Sequence, residues 1–276
     1  MKSDTAARCS PPRDAGFSLI EVMIASGLFL LLLGGVSTMF ASVRDNYHDS
    51  AARIDAQQSA RIAMEQIQRD LQIAGVGLSR LQPPFAIIVP RADGGIDMRV
   101  NRGQITTFLT TAMGNPASDL DVNDASQFTV GRQIAVYDAT GSIDMIEITA
   151  INALAKRISH AGLSKAYDPA DGAAVAAVQT ITYRAVTNGA TMDLLREVDG
   201  SGAAVLATNL TVVQFSYFDN AVPPAPFTPT TLAQRLVIRV IAARIDVQAA
   251  GERFVGAGRP TITLTTRVTP RSLVLF

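Results

Sequence analysis

The sequence predicts an α+β protein: a long N-terminal transmembrane and amphipathic α-helix packed on a β-rich globular head. Three observations carry that expectation. Residues 22–43 contain no charged side chain, residues 44–74 keep helical spacing while turning polar, and beyond Pro83-Pro84 short alternating apolar runs are separated by turn residues.

The N-terminal element begins with a polar leader, residues 1–16, in which Lys2, Arg8 and Arg13 oppose Asp4 and Asp14. Its Pro11-Pro12 pair is foreign to a helix interior. The 22 uncharged residues 22–43 form a helix of roughly 33 Å at about 1.5 Å per residue, enough for a hydrocarbon core of about 30 Å. The basic residues of the leader place the amino terminus in the cytoplasm by the positive-inside rule. Gly34 and Gly35 each weaken this helix by about 1 kcal/mol relative to alanine and mark its point of flexibility. A secretory signal places its apolar region before a small-residue cleavage site and loses that region on maturation. Here the order is reversed, with Gly16 in front of the apolar run and Glu21 a few residues behind it. A carboxylate at that depth is costly unless partnered, which makes Glu21 a candidate functional residue.

The string GFSLIEVMIA, starting at Gly16, resembles the class III signal of type IV prepilins. The resemblance implies that a prepilin peptidase cuts between Gly16 and Phe17 and N-methylates Phe17. It also implies that Glu21 is the assembly carboxylate, lying against the terminal amine of a neighbouring subunit and setting its register. Many major pilins carry a proline later in this helix, where this chain has Thr38. The implied organisation is a leader at 1–16, a transmembrane and assembly helix at 17–43, an amphipathic extension at 44–78 and a β-rich pilin head at 79–276. An extra β module is expected near 116–178.

Along the extension, Ala60, Met64, Ile67, Leu71 and Ala74 recur every three or four residues and define the face that packs on the head. Arg53, Asp55, Arg61, Glu65, Arg69 and Asp70 read as solvated helix charges. Gly75-Val76-Gly77 supplies residues that tolerate positive φ and ends the helix. Strands are expected at 85–89, 96–100, 104–110, 210–218, 236–247 and 261–268. Asn188-Gly189 is the strongest hairpin signal, Asp199-Gly200-Ser201-Gly202 marks another turn, and the proline-rich stretch 222–229 reads as a surface loop. The head, residues 79–276, is expected to fold as a soluble, β-rich and monomeric domain. The order of these segments resembles that of the larger minor pilins, most nearly the PilW type.

Composition narrows the function classes. Lys+Arg and Asp+Glu both total 24, so no electrostatic footprint for nucleic acid is present and no direct nucleic-acid binding is expected. The single cysteine, Cys9, falls in the leader, and the two histidines, His48 and His160, are far apart, which disfavours disulfide, zinc or iron chemistry. Asp119, Asp121 and Asn123 open like a calcium loop, but Asp124 replaces the turn glycine and Val130 the closing glutamate, so a polar turn is expected. The glycines around Asp93 and Ser201 lack the spacing and lysine of a P-loop. Ser159-His160 lacks a G-x-S-x-G elbow, and His160 reads as a polar loop residue.

No catalytic residue and no cofactor is therefore expected. The resemblance implies a minor pilin of a type IV pilus, acting in assembly or initiation with a role in adhesion, motility or DNA uptake. Its expected partners are prepilin peptidase, other major and minor pilins, and the inner-membrane pilus assembly platform. It would sit in the bacterial inner membrane as a single-pass protein with a periplasmic head, then in the pilus at the cell surface. A minor pseudopilin of a type II secretion system has an indistinguishable leader, and a membrane-tethered binding module is the alternative of another class.

Overall fold

The computed structural model describes residues 18–78, 85–221, 223–248 and 261–271. Cys9, Gly16 and Phe17 lie outside them. Two compact units occur, Met1–Ala51 and Ala52–Phe276, and the helix α1 (Leu19–Ile73) contributes to both.

In the first unit the described part of α1 presents its side chains almost entirely to the surroundings. Leu19, Leu30, Leu31 and Leu32 are all exposed, as expected of a helix whose apolar surface needs lipid or another helix to cover it. The helix continues through Gly34 and Gly35, where a Cβ would meet nothing within 4 Å.

In the second unit α1 changes character. Ala60, Ala63, Ile67, Leu71 and Ala74 are buried at helical spacing and enter the main core cluster with residues of the sheet. Gly75 and Gly77 then take φ of 78° and 75°. A side chain at Gly77 would run into the Asn101 carbonyl oxygen, so the turn requires glycine for space as well as for conformation.

The strands are β1 (Ile88–Pro90), β2 (Ile96–Val100), β3 (Thr106–Phe108), β4 (Leu120–Asp121), β5 (Gln133–Tyr137), β6 (Ile143–Asn152), β7 (Arg157–His160), β8 (Ala174–Asn188), β9 (Thr191–Val198), β10 (Ala203–Phe218), β11 (Val240–Gln248) and β12 (Thr261–Val268). They pair antiparallel in the order β12-β11-β10-β9-β8-β5-β6-β7-β4, with β2 and β3 also on β8 and β1 on β2. The long strand β8 is the spine. Its first part lies between β3 and β5, and its second between β2 and β9. Alternation explains the small apolar run at its start: Val175 enters one core cluster, with Leu120, Ile134, Ile148 and Ile158, while Ala174 and Ala176 enter another, with Phe85 and Tyr137. The main cluster joins α1 to Ile96, Met98, Ile181, Tyr183, Leu210, Ile241 and Ile245.

Several sequence expectations shift. Thr231 and Gln234 form a capping box on the short helix α2 (Leu232–Leu236), so residue 236 ends a helix and the strand expected from that point begins at Val240. The β8–β9 hairpin is present, but Asn188 pairs with Thr191, leaving Gly189 and Ala190 as the turn. Gly189 takes φ of 64°, so it is the glycine that bends the chain while Asn188 ties its side chain to Asp193. The first strand starts at Ile88, three residues after the expected position. Because α1 supplies part of the main core, a head starting at residue 79 lacks the residues that cover its own sheet.

Candidate functional site

Two of the carboxylates on α1, Glu21 and Asp70, stand in opposite environments. Glu21 stands in the first turn, where the positive end of the helix dipole favours an anion. It is exposed, and Val22, Ala25, Ser26, Phe29 and Leu30 line the surface beside it. Ser26 spends its hydroxyl on the Val22 carbonyl at 2.7 Å, so it offers that face little polarity. Among the described residues Glu21 has no hydrogen-bond or ion-pair partner. The carboxylate thus occupies an apolar surface with no compensating cation among those residues.

Asp70 is the opposite case and corrects the expectation of a solvated charge, being only 1% exposed. Its Oδ2 accepts from the Tyr183 hydroxyl at 2.7 Å, Arg196 Nε at 2.7 Å and Gln66 Nε2 at 3.2 Å, while Oδ1 accepts from Arg102 Nη2 at 3.2 Å. Burial, reinforced by the Asp70 charge, pushes the Tyr183 hydroxyl well above its ordinary pKa, so it remains a donor. The hydrogen bond to Asp70 raises the Arg196 guanidinium still further. This cluster joins α1 to β8, β9 and the loop after β2. Spacing alone could not distinguish it from a surface charge; the signal was an acidic residue beside the buried Leu71 and a tyrosine inside the apolar part of β8.

The remaining motifs have local partners. Asp121 is held by Arg157 Nε at 2.7 Å, and Asp124 accepts from the Ser126 amide at 2.8 Å to close a turn. His160 belongs to the end of β7 and not to a loop; its Nε2 lies 2.9 Å from the Ser118 carbonyl oxygen and its Nδ1 accepts from the Gly162 amide at 3.0 Å, so Nε2 is the protonated nitrogen. Asp138, at the β5–β6 turn, would be pushed up by burial, but hydrogen bonds from Lys165 and Thr140 win and hold it below its ordinary range. No group of three or more potential metal ligands occurs among the described residues.

Gly16 and Phe17 lie outside the described residues, so the structure brings neither to Glu21. The helix that follows is the one described helix long and apolar enough to cross a membrane. Residues 11–37 match the family model of the prokaryotic N-terminal methylation motif, a stretch that contains Gly16, Phe17, Glu21, Gly34 and Gly35. No curated protein and no solved structure matches the chain. The motif and the apolar helix behind it together support a type IV pilin-like protein, a structural substrate of prepilin peptidase that is consistent with membrane anchoring.

Proposed function

We propose that the chain is a minor pilin of a type IV pilus, acting in assembly or initiation. The observation that carries this reading is Glu21: a carboxylate on an exposed apolar helix, without a partner among the described residues, inside a matched methylation motif. Cleavage between Gly16 and Phe17 creates a cationic amine within a few residues of that anion. In a stack of subunits the Glu21 carboxylate of one lies against the Phe17 amine of the next, and each ion offsets the other's desolvation. Such a pair need not add net stability, but losing one partner strands a charge, so it fixes register.

Gly34 and Gly35 serve in this reading as the flexible point at which the helix adapts to its neighbours. The partners are prepilin peptidase, other pilins and the inner-membrane assembly platform, and the head passes from periplasm to pilus surface. Mass spectrometry of membrane-extracted protein tests the processing step. A chain starting at N-methylated Phe17 supports it, and a Gly16→Glu change abolishes it; a terminus downstream of residue 43 contradicts it. Loss of Cys9 with the leader leaves the processed chain inert to thiol reagents after denaturation. Sheared filaments that contain the chain together with pilus subunits support the pilus assignment, whereas exclusive recovery with type II secretion pseudopilins contradicts it.

A further inference from the structure

We infer that the cleft where β5 meets the end of β9 is a binding site for a small oxyanion of the carboxylate or phosphate type. The argument begins with a charge count. The Asp70 carboxylate is shared by two guanidiniums, Arg196 and the cleft residue Arg102, so that cluster carries one positive charge in excess. The surplus resides on Arg102, which is 54% exposed and touches Asp70 through Nη2 alone, leaving most of its N–H donors unspent.

Arg102 and Arg132 both line a cleft of about 200 Å³, and Asp199 is the one carboxylate among its described lining residues. Asp199 is already neutralised: Arg132 Nη1 lies 2.6 Å from its Oδ2, and its Oδ1 accepts from the Thr180 amide at 2.7 Å. The rest of the polar lining includes Gln127, Thr129 and Gln179, all uncharged. Two guanidiniums and uncharged hydrogen-bonding groups against one committed carboxylate favour an anion over a cation.

The frame is preorganised. Asn101 clamps the Arg102 loop through side-chain bonds to the amide and carbonyl of Ile105, both 2.9 Å, and its own amide donates to the Val76 carbonyl at 2.8 Å. The Arg132 amide donates to the Thr129 carbonyl and its carbonyl accepts from the Ile148 amide. Little ordering cost therefore opposes binding. The residual charge is single, which suits a small ion and gives no track for a polyanion.

Thermal unfolding of the full chain in detergent, titrated with inorganic phosphate or with acetate at constant ionic strength made up with chloride, tests the site. The expected result is a saturable rise in Tm beyond that given by chloride. A response to either ion supports the site and identifies the geometry it prefers. Arg102→Gln should weaken the response about tenfold, the loss of a charge-assisted hydrogen bond. Asp199→Asn should strengthen it by a similar factor, because it frees Arg132; asparagine still accepts from Thr180 and tolerates the φ of 50° found there. Arg184→Gln, outside the cleft, should respond as the wild type does. Absence of a saturable wild-type response, an undiminished response in Arg102→Gln, or a weaker one in Asp199→Asn would each overturn the proposal.

Discussion

The two halves of α1 treat a carboxylate in opposite ways. In the half belonging to the head, Asp70 is removed from water and receives four donors from α1, β8, β9 and the loop after β2. In the N-terminal half, Glu21 stands on an apolar surface and receives none among the described residues. The same contrast holds for the apolar side chains: Ile67 and Leu71 are fully buried, whereas Leu31 is 75% exposed. One helix therefore contains a segment whose needs are met inside the chain and a segment whose needs are not met among the described residues. The first kind of residue specifies the fold; the second is where the proposed assembly contacts would form.

The largest expected effect breaks this contrast at Asp70. Asp70→Ala removes the acceptor of a buried tyrosine hydroxyl and strands the half-buried Arg196, for a cost of about 3–5 kcal/mol. Chemical unfolding of the head, followed by circular dichroism, measures it. The same change at Glu21 should leave head stability within about 0.5 kcal/mol of wild type.

Next comes Leu71→Ala, expected to cost about 2–5 kcal/mol through lost burial and a residual cavity. Leu31→Ala, on the exposed half, should leave the head transition unmoved. By the same reasoning, a fragment starting at residue 52 should unfold cooperatively, while one starting at 79 should lose stability because it lacks Ala60, Ile67 and Leu71.

The third effect concerns pH. Hydrogen bonds from Lys165 and Thr140 overcome the burial that would raise Asp138, and its carboxyl lies below the ordinary value. A depressed folded-state pKa means that its contribution is complete above the unfolded value of about 3.9 and is lost as pH falls through the lower folded value. Asp138→Asn should flatten that acid limb of the stability curve while leaving the limb above pH ~5 parallel to wild type. Parallel acid limbs in the two proteins would contradict the ion-pair assignment.

The smallest effect is at Gly34 and Gly35. Alanine at either meets no neighbour within 4 Å. Each change should stabilise the isolated helix by about 1 kcal/mol without moving the head transition. Helicity of the apolar segment in detergent, followed on heating, is the readout.

Much of this was legible in the sequence because periodicity reports burial. The spacing of Ala60, Met64, Ile67, Leu71 and Ala74 identified the packed face, and the alternation at 261–268 identified β12 with its limits. What spacing cannot report is the partner of a polar group. Asp70 lies beside Leu71 in a helix rich in exposed charges, and only the fold brings Tyr183 and Arg196 to it from more than a hundred residues away. His160 reads as a loop residue for a related reason, since a strand four residues long gives too little alternation to reveal itself. Thr231 and Gln234 carry the capping signal of α2, but the apolar run after it reads as strand and hides the helix. For the candidate assembly site the position was different. Gly16, Phe17 and Glu21 form a linear motif, so their relation needs no tertiary structure to be seen.

The central proposal is that Glu21, which has no partner among the described residues, meets its partner on another subunit. The direct measurement is incorporation of wild-type, Glu21→Ala and Glu21→Asp proteins into sheared filaments, normalised to the cleaved protein remaining in the membrane. Glu21→Ala should be cleaved normally, reside in the membrane at an equal or higher level, and fail to enter filaments. Glu21→Asp, which keeps the charge but shortens its reach by about 1.5 Å, should fall between the two, since the attraction depends on close approach. Equal incorporation of all three proteins would contradict the account.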